Sequence, residues 1–275
     1  MSMKKAAFYK ELFILLGLII ISIIGAIGIS NALKQNNKPK EELSIPLEQT
    51  LKELIKKQIL FESRHVENEV VSQAIQTIIA HLKTGIENIP YEIDIIIIDS
   101  PVVNAIAFPG GMIVIYTGLL KITDNAFEIA AVISHELGHV VHRDSLKLIL
   151  RQSGLALLLT IITRGDSDGL LQNIIRSLID THFSRKQEEA ADSYAINLLQ
   201  KTGISPIYLA NIFKKMKQKQ NTLEKGILKY ISSHPDIDLR IEQAIKSADS
   251  FTGPEKSLDI DWKEVKSHLP SVFDK

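Results

Sequence analysis

The chain lacks cysteine altogether and has one tryptophan, 9 prolines and 14 glycines in 275 residues. Without thiols there is no disulfide, no thiolate metal site and no cysteine nucleophile. Any zinc must be held by His, Asp or Glu, a ligand set met more often in catalytic than in structural sites. The scarcity of Gly and Pro beside a hydrophobic content of 45% excludes a disordered chain. An excess of one charge is missing too: 32 basic residues balance 32 acidic ones. That leaves no electrostatic case for nucleic acid as a partner, or for an anionic membrane surface. The absence of cysteine also fits an oxidising envelope compartment.

Long apolar runs are scarce, but Leu12–Ile29 is one, 18 residues without a charge. As a helix it would be about 27 Å long, close to the hydrocarbon thickness of a bilayer. Two readings compete: an uncleaved membrane anchor, or a secretory signal with a small-residue site at Ser30-Asn31-Ala32. The length of the run favours the anchor, and either reading places the rest outside the cytoplasm, on the periplasmic side. Lys4, Lys5 and Lys10 before the run are matched by Lys34, Lys38 and Lys40 after it, so loop charge does not orient it. Residues 1–30 are thus read as anchor or signal and 31–46 as a polar linker. Residues 47–250 are read as the functional domain and 251–275 as a C-terminal tail.

Within the domain, Leu51, Leu54, Ile55 and Ile59, then Val70, Ala74, Ile78 and Leu82, recur at helical spacing and predict two helices. The β-branched run Ile93–Asp99 predicts a strand, and a Pro-Gly-Gly turn precedes a second one, Met112–Tyr116. Asn125 with Glu128 predicts the start of a helix reaching about His142, and Ser184 with Gln187 another that stops at Gly203. Leu146–Ile162 is apolar but broken by Lys147, Arg151 and Gln152, which favours a buried helix, or one lying against a bilayer, over a second span.

The informative motif is ISHELGHVVHRD, residues 133–144, which holds His135-Glu136-x-x-His139. On a helix the two histidines lie one turn apart on one face, and both rings can reach a single ion. Glu136 is rotated by about 100° and reaches a water on that ion instead, as a general base would. The apolar neighbours Ile133, Leu137 and Val140 argue against a solvated helix face. An extended motif with a third histidine at position 145 is excluded, because that residue is Ser145; His142 reads as a flanking residue. The remaining solution is a carboxylate from another helix, and SRKQEEAADSYA, residues 184–195, supplies one. Glu188 is the expected third ligand, with Glu189 the runner-up. Asp192, on the same face as Glu188, suits a supporting role, accepting a hydrogen bond from a ligating histidine. Ala191 and Ala195 are small enough to let the two helices approach closely.

The ordered segments VNAIAFPGGMIVIYTGLL, ISHELGHVVHRD, FSRKQEEAADSYAINLL and SSHPDIDLR, from about Tyr91 to Arg240, resemble metallopeptidase family 48. That family holds the heat-shock membrane protease HtpX, the CAAX prenyl endopeptidases and periplasmic quality-control proteases. The resemblance implies one zinc ion per chain on His135, His139 and Glu188, with Glu136 as base and Asp192 in support. It implies an α+β, mainly helical gluzincin-type peptidase domain with a small β-sheet, here preceded by one N-terminal transmembrane helix. His234 is ambiguous: a fourth ligand in a closed, regulated state, a donor to the transition state, or a helix-cap residue beside Pro235. The expected partner is a polypeptide bound as an extended strand along Met112–Tyr116, with Gly110, Gly111, Met112, Ile113 and Val114 forming the substrate strand. The expected activity is zinc-dependent cleavage of misfolded or membrane-associated envelope proteins. The alternatives are a processing peptidase of narrow range and a non-catalytic zinc-holding interaction or chaperone protein.

Overall fold

The structure is a computed structural model and describes residues 37–87, 89–164, 169–220, 234 and 236–270. The expected anchor or signal at 1–30 lies outside the described residues. Among the described residues no helix is long and apolar enough to cross a membrane.

Helix α1 (Asn37–Glu62) begins inside the stretch read as a linker and runs through Pro46. Its buried stripe is Glu48, Leu51, Ile55 and Ile59, a helical spacing in which the first member is a carboxylate. Helix α2 (Glu69–Lys83) is capped by Asn68, whose side chain accepts from the Val71 N–H, and it buries Val71, Ala74, Ile75, Ile78, Ile79 and Leu82. The sheet has three strands, β1 (Asp94–Ile98), β2 (Ala105–Phe108) and β3 (Met112–Tyr116), in the order β1-β3-β2. β1 runs parallel to β3 and β2 antiparallel, with Ala107 opposite Ile113. β2 was not expected. It turns into β3 through Pro109–Gly111, where Gly110 and Gly111 both take positive φ.

The expected substrate strand is corrected by this topology. β3 is the central strand, and both of its edges already carry a neighbour. Gly110 and Gly111 are not open to a ligand either. A side-chain carbon on Gly110 would sit 2.7 Å from the Glu48 carbonyl, and one on Gly111 would sit 2.8 Å from the Glu92 carbonyl. The burial of Met112 to Ile115 fits a central strand rather than an edge.

After the short helix α3 (Thr117–Ile122) comes α4 (Ala126–Val141), buried along nearly its whole length and crossing beneath β2. Asn125 caps it by accepting from the Glu128 N–H at 3.0 Å. Helix α5 (Asp144–Arg164) is kinked at Gly154 and mixes buried Leu146, Leu148, Ile149, Leu158 and Ile161 with exposed Leu155 and Leu159. It pairs with α6 (Leu170–Asp180). Helix α7 (Arg185–Lys201) opens on the capping box of Ser184 and Gln187. Helices α8 (Ile207–Gln220) and α9 (Ile237–Asp249) pack on each other, and α10 (Trp262–Ser267) seats Trp262 against Thr123. The domain is therefore mainly helical with one small sheet.

Candidate metal centre

Helices α4 and α7 lie against each other at two small residues. A side-chain carbon on Gly138 would come within 2.7 Å of the Ala191 Cα, so the backbones touch there. That contact brings Glu188, one turn before Ala191, opposite His135 and His139. The Nε2 atoms of the two histidines are 3.2 Å apart. Glu188 places Oε2 at 3.6 Å from His135 Nε2 and Oε1 at 3.4 Å from His139 Nε2. His234 comes from beyond α8 and sets its Nδ1 3.0 Å from Glu188 Oε1 and 3.4 Å from His135 Nε2. The ligating atoms of all four residues lie within 4.8 Å of one another, and all four residues are buried.

The tautomers explain what such a cluster is fit to hold. His135 Nδ1 faces Asp192 Oδ1 at 2.8 Å, and His139 Nδ1 faces Asp144 Oδ2 at 2.9 Å. Each ring N–H is thus drawn to a carboxylate on its outer side, leaving the two Nε2 lone pairs to face one another beside a third carboxylate. Lone pairs and negative charge converging on one point need a cation or a proton between them. Ligands about 2.1 Å from a tetrahedral zinc stand about 3.4 Å from each other, and most of these separations match that spacing. The donor set fits zinc.

The surrounding residues complete the cage. Arg240 of α9 grips Asp192 with two hydrogen bonds, Nε to Oδ2 at 2.7 Å and a second nitrogen to Oδ1 at 2.8 Å. It also approaches Glu188 Oε2 at 3.0 Å and lies 4.2 Å over the Phe213 ring. Gln187 donates to Asp144 Oδ1 at 2.9 Å, so the residue that caps α7 also braces the partner of His139. Phe183 stacks on the His139 ring at 4.1 Å. Glu136 accepts from the Ala107 N–H of β2 at 2.9 Å through Oε2, while its Oε1 is buried with no hydrogen bond, 4.0 Å from His234 Nε2.

Burial raises the Glu136 carboxyl above its ordinary range, with Glu188 adding to the shift. Burial also pushes His135 down to about 3, helped by the Arg240 charge, so its ring is neutral. For His139 burial works against the charged form, but Asp144 and Glu188 prevail and raise it to about 9. Glu188 is held well below the usual carboxylate range: burial opposes ionisation, and His234, His139 and Arg240 overcome it. Glu189, the runner-up ligand, lies on the exposed side of α7. His142 is half-buried and turned toward Tyr194, away from the cluster. Asp144, Phe183 and Arg240 had no assigned role in the sequence, and Gln187 only that of a helix cap, although Asp144 and Arg240 close two of its motifs.

The model of peptidase family M48 matches residues 65–248, which carry every one of these side chains. The chain belongs to peptidase family M48. Among its M48 relatives, a beta-barrel assembly-enhancing protease of Yersinia pestis is 25% identical over 84% of this chain and 50% of its own length. The metalloprotease LoiP of Escherichia coli strain K12 is 37% identical over 45% of this chain and 50% of its own. The mitochondrial metalloendopeptidase OMA1 of Arabidopsis thaliana is 31% identical over 57% of this chain and 31% of its own. The chain thus spans half or less of the length of these relatives.

Proposed function

We propose that this protein is a zinc-dependent endopeptidase acting on misfolded or membrane-associated polypeptides, with its site closed by His234. One observation carries the reading. Four ligating atoms converge within 4.8 Å of one another beside a buried carboxylate, Glu136, that has one oxygen tied to the backbone and the other without a hydrogen bond. His135, His139 and Glu188 would hold the ion, Asp192 and Asp144 would fix the two rings, and His234 would take the fourth position. Bound zinc would supply Lewis-acid polarisation of water and of the scissile carbonyl. Glu136 Oε1 takes the proton from the attacking water and passes it to the leaving amine. Burial raises the pKa of its carboxyl, which favours holding that proton between the two steps.

An extended substrate finds its edge at β2 rather than at the central strand β3. The Tyr116 N–H bonds to the Asn104 carbonyl, so by alternation Ala105 and Ala107 turn their N–H and C=O groups outward from the sheet. Glu136 and the Ser145 hydroxyl hold those groups of Ala107, and the Asn104 side chain holds the Ala105 N–H. An extended substrate adding along β2 takes their place and passes directly over Glu136. The run Leu12–Ile29 supports anchoring at a membrane with the domain outside the cytoplasm. The names of the relatives, one concerned with β-barrel assembly, support an envelope quality-control role.

The test is zinc content and casein hydrolysis by the full chain, with and without chelator. Glu136→Gln should bind zinc as the wild type does and lose hydrolysis by at least about a hundredfold. A Glu136→Gln protein that still digests casein at the normal rate overturns the reading.

A further inference from the structure

Glu48, on α1, is 1% exposed and lies at no catalytic position. Its Oε1 accepts from Arg143 Nε at 2.6 Å, and Arg143 brings a second guanidinium nitrogen to the same oxygen. Its Oε2 faces the Gly110 N–H at 3.4 Å. Arg143 sits at the junction of α4 and α5 with φ +55°, the left-handed region. A residue just past a helix end commonly takes this conformation, but it is ordinarily glycine, because any side chain there is strained. The turn at Arg143 has a definite product. It ends α4, with the Arg143 N–H on the Val140 carbonyl, and starts α5, with the Arg143 carbonyl on the Lys147 N–H. The next residue is Asp144, whose carboxylate thereby meets His139 Nδ1.

We propose that Glu48 is a positioning residue for the metal centre. By gripping the guanidinium it holds Arg143 in the left-handed turn, and the turn seats Asp144 on His139. Glu48 touches neither the ion's ligands nor substrate, and acts only through this relay. The proposal rests on the metal reading above. It makes the docking of α1 and the affinity for zinc one property of the fold: α1 cannot leave this face without releasing the turn that orients a ligand.

The test is zinc affinity of the full chain, by competition with a chromophoric chelator. Glu48→Gln should weaken binding roughly tenfold, and Asp144→Asn by about ten- to a hundredfold. The double variant should bind no more weakly than Asp144→Asn alone, since one route cannot be cut twice. If Glu48 merely supported folding, it would lower the melting temperature and leave zinc affinity unchanged, or the two effects would multiply. Either result overturns the proposal.

A second comparison holds even if Glu48→Gln fails to fold. Arg143→Gly and Arg143→Ala leave Glu48 in the same surroundings but differ in the strain of the turn. The glycine variant should bind zinc about tenfold more tightly than the alanine variant. Equal or reversed affinities reject the relay. A wild type that takes up no zinc removes the metal reading and this proposal together. A wild type that binds zinc, with Glu48→Gln binding just as tightly, removes this proposal alone.

Discussion

His139 is the residue on which proton and metal compete. Burial disfavours charge on its ring, yet the carboxylates of Asp144 and Glu188 raise its pKa to about 9. A metal needs the Nε2 lone pair, so binding at neutral pH expels the proton held there. Affinity should therefore rise with pH up to about 9 and level off above it. His135, pushed down to about 3, has no proton to give. Calorimetric titration with zinc at pH 7, in buffers of differing ionisation heat, should show about one proton released per ion. A release of zero would contradict the arrangement. At this scale the sequence is readable where chemistry has a spacing. His135, Glu136 and His139 share one helix, and Glu188 and Asp192 share another, so each group is visible as a helical repeat. Asp144 and Arg240 were not readable in the same way. One reaches His139 only through a left-handed turn, and the other grips Asp192 across 48 residues of chain, a pairing with no period.

Between elements, the contact of Gly138 with Ala191 sets the distance across the centre. Gly138→Val adds three carbons where one already meets the partner backbone at 2.7 Å. It should force α4 and α7 apart, destabilise the fold by about 1–3 kcal/mol, and lower zinc uptake. Chemical denaturation and metal analysis on the same sample check both effects, and a variant with full zinc content would show that the helices can part without harm. The small residues of α7 announced a close approach, but the alternating partner on α4 was a glycine inside the metal motif itself. The sheet was read less well. β2 has four residues and no polar alternation, so no period announces it, and a substrate lying along Met112–Tyr116 would need an open edge that β3 does not have. Every β3 residue but the last is buried, which is how a strand with neighbours on both sides reads in sequence.

For the molecule as a whole, Arg240 ties three distant segments together: Asp192 and Glu188 on α7, His135 on α4 and Phe213 on α8. Arg240→Ala leaves two buried carboxylates without their cation and should cost about 3–5 kcal/mol of stability. Urea unfolding measures it, and a loss under 1 kcal/mol would mean that the network is dispensable. On the proposed function, His234→Ala removes the group that would close the site and leaves the three residues that would hold the ion. It should retain zinc and hydrolyse casein several times faster; a slower variant would reject the closing role. Helix, sheet and site could be anticipated in outline because helical periods and the ordered motifs persist over long stretches. The union of α1 with the far end of α4 could not, since it rests on one buried ion pair, Glu48 with Arg143, 95 residues apart.

His135, Glu136 and His139 have no solvent-accessible surface at all. On the proposed function, a scavenger in solution has no direct line to a seated ion and must wait for the closing residue, His234, to swing aside. Inactivation by such an agent should run on the protein's own clock, with a rate that saturates as the agent is raised, and should quicken when substrate is turning over.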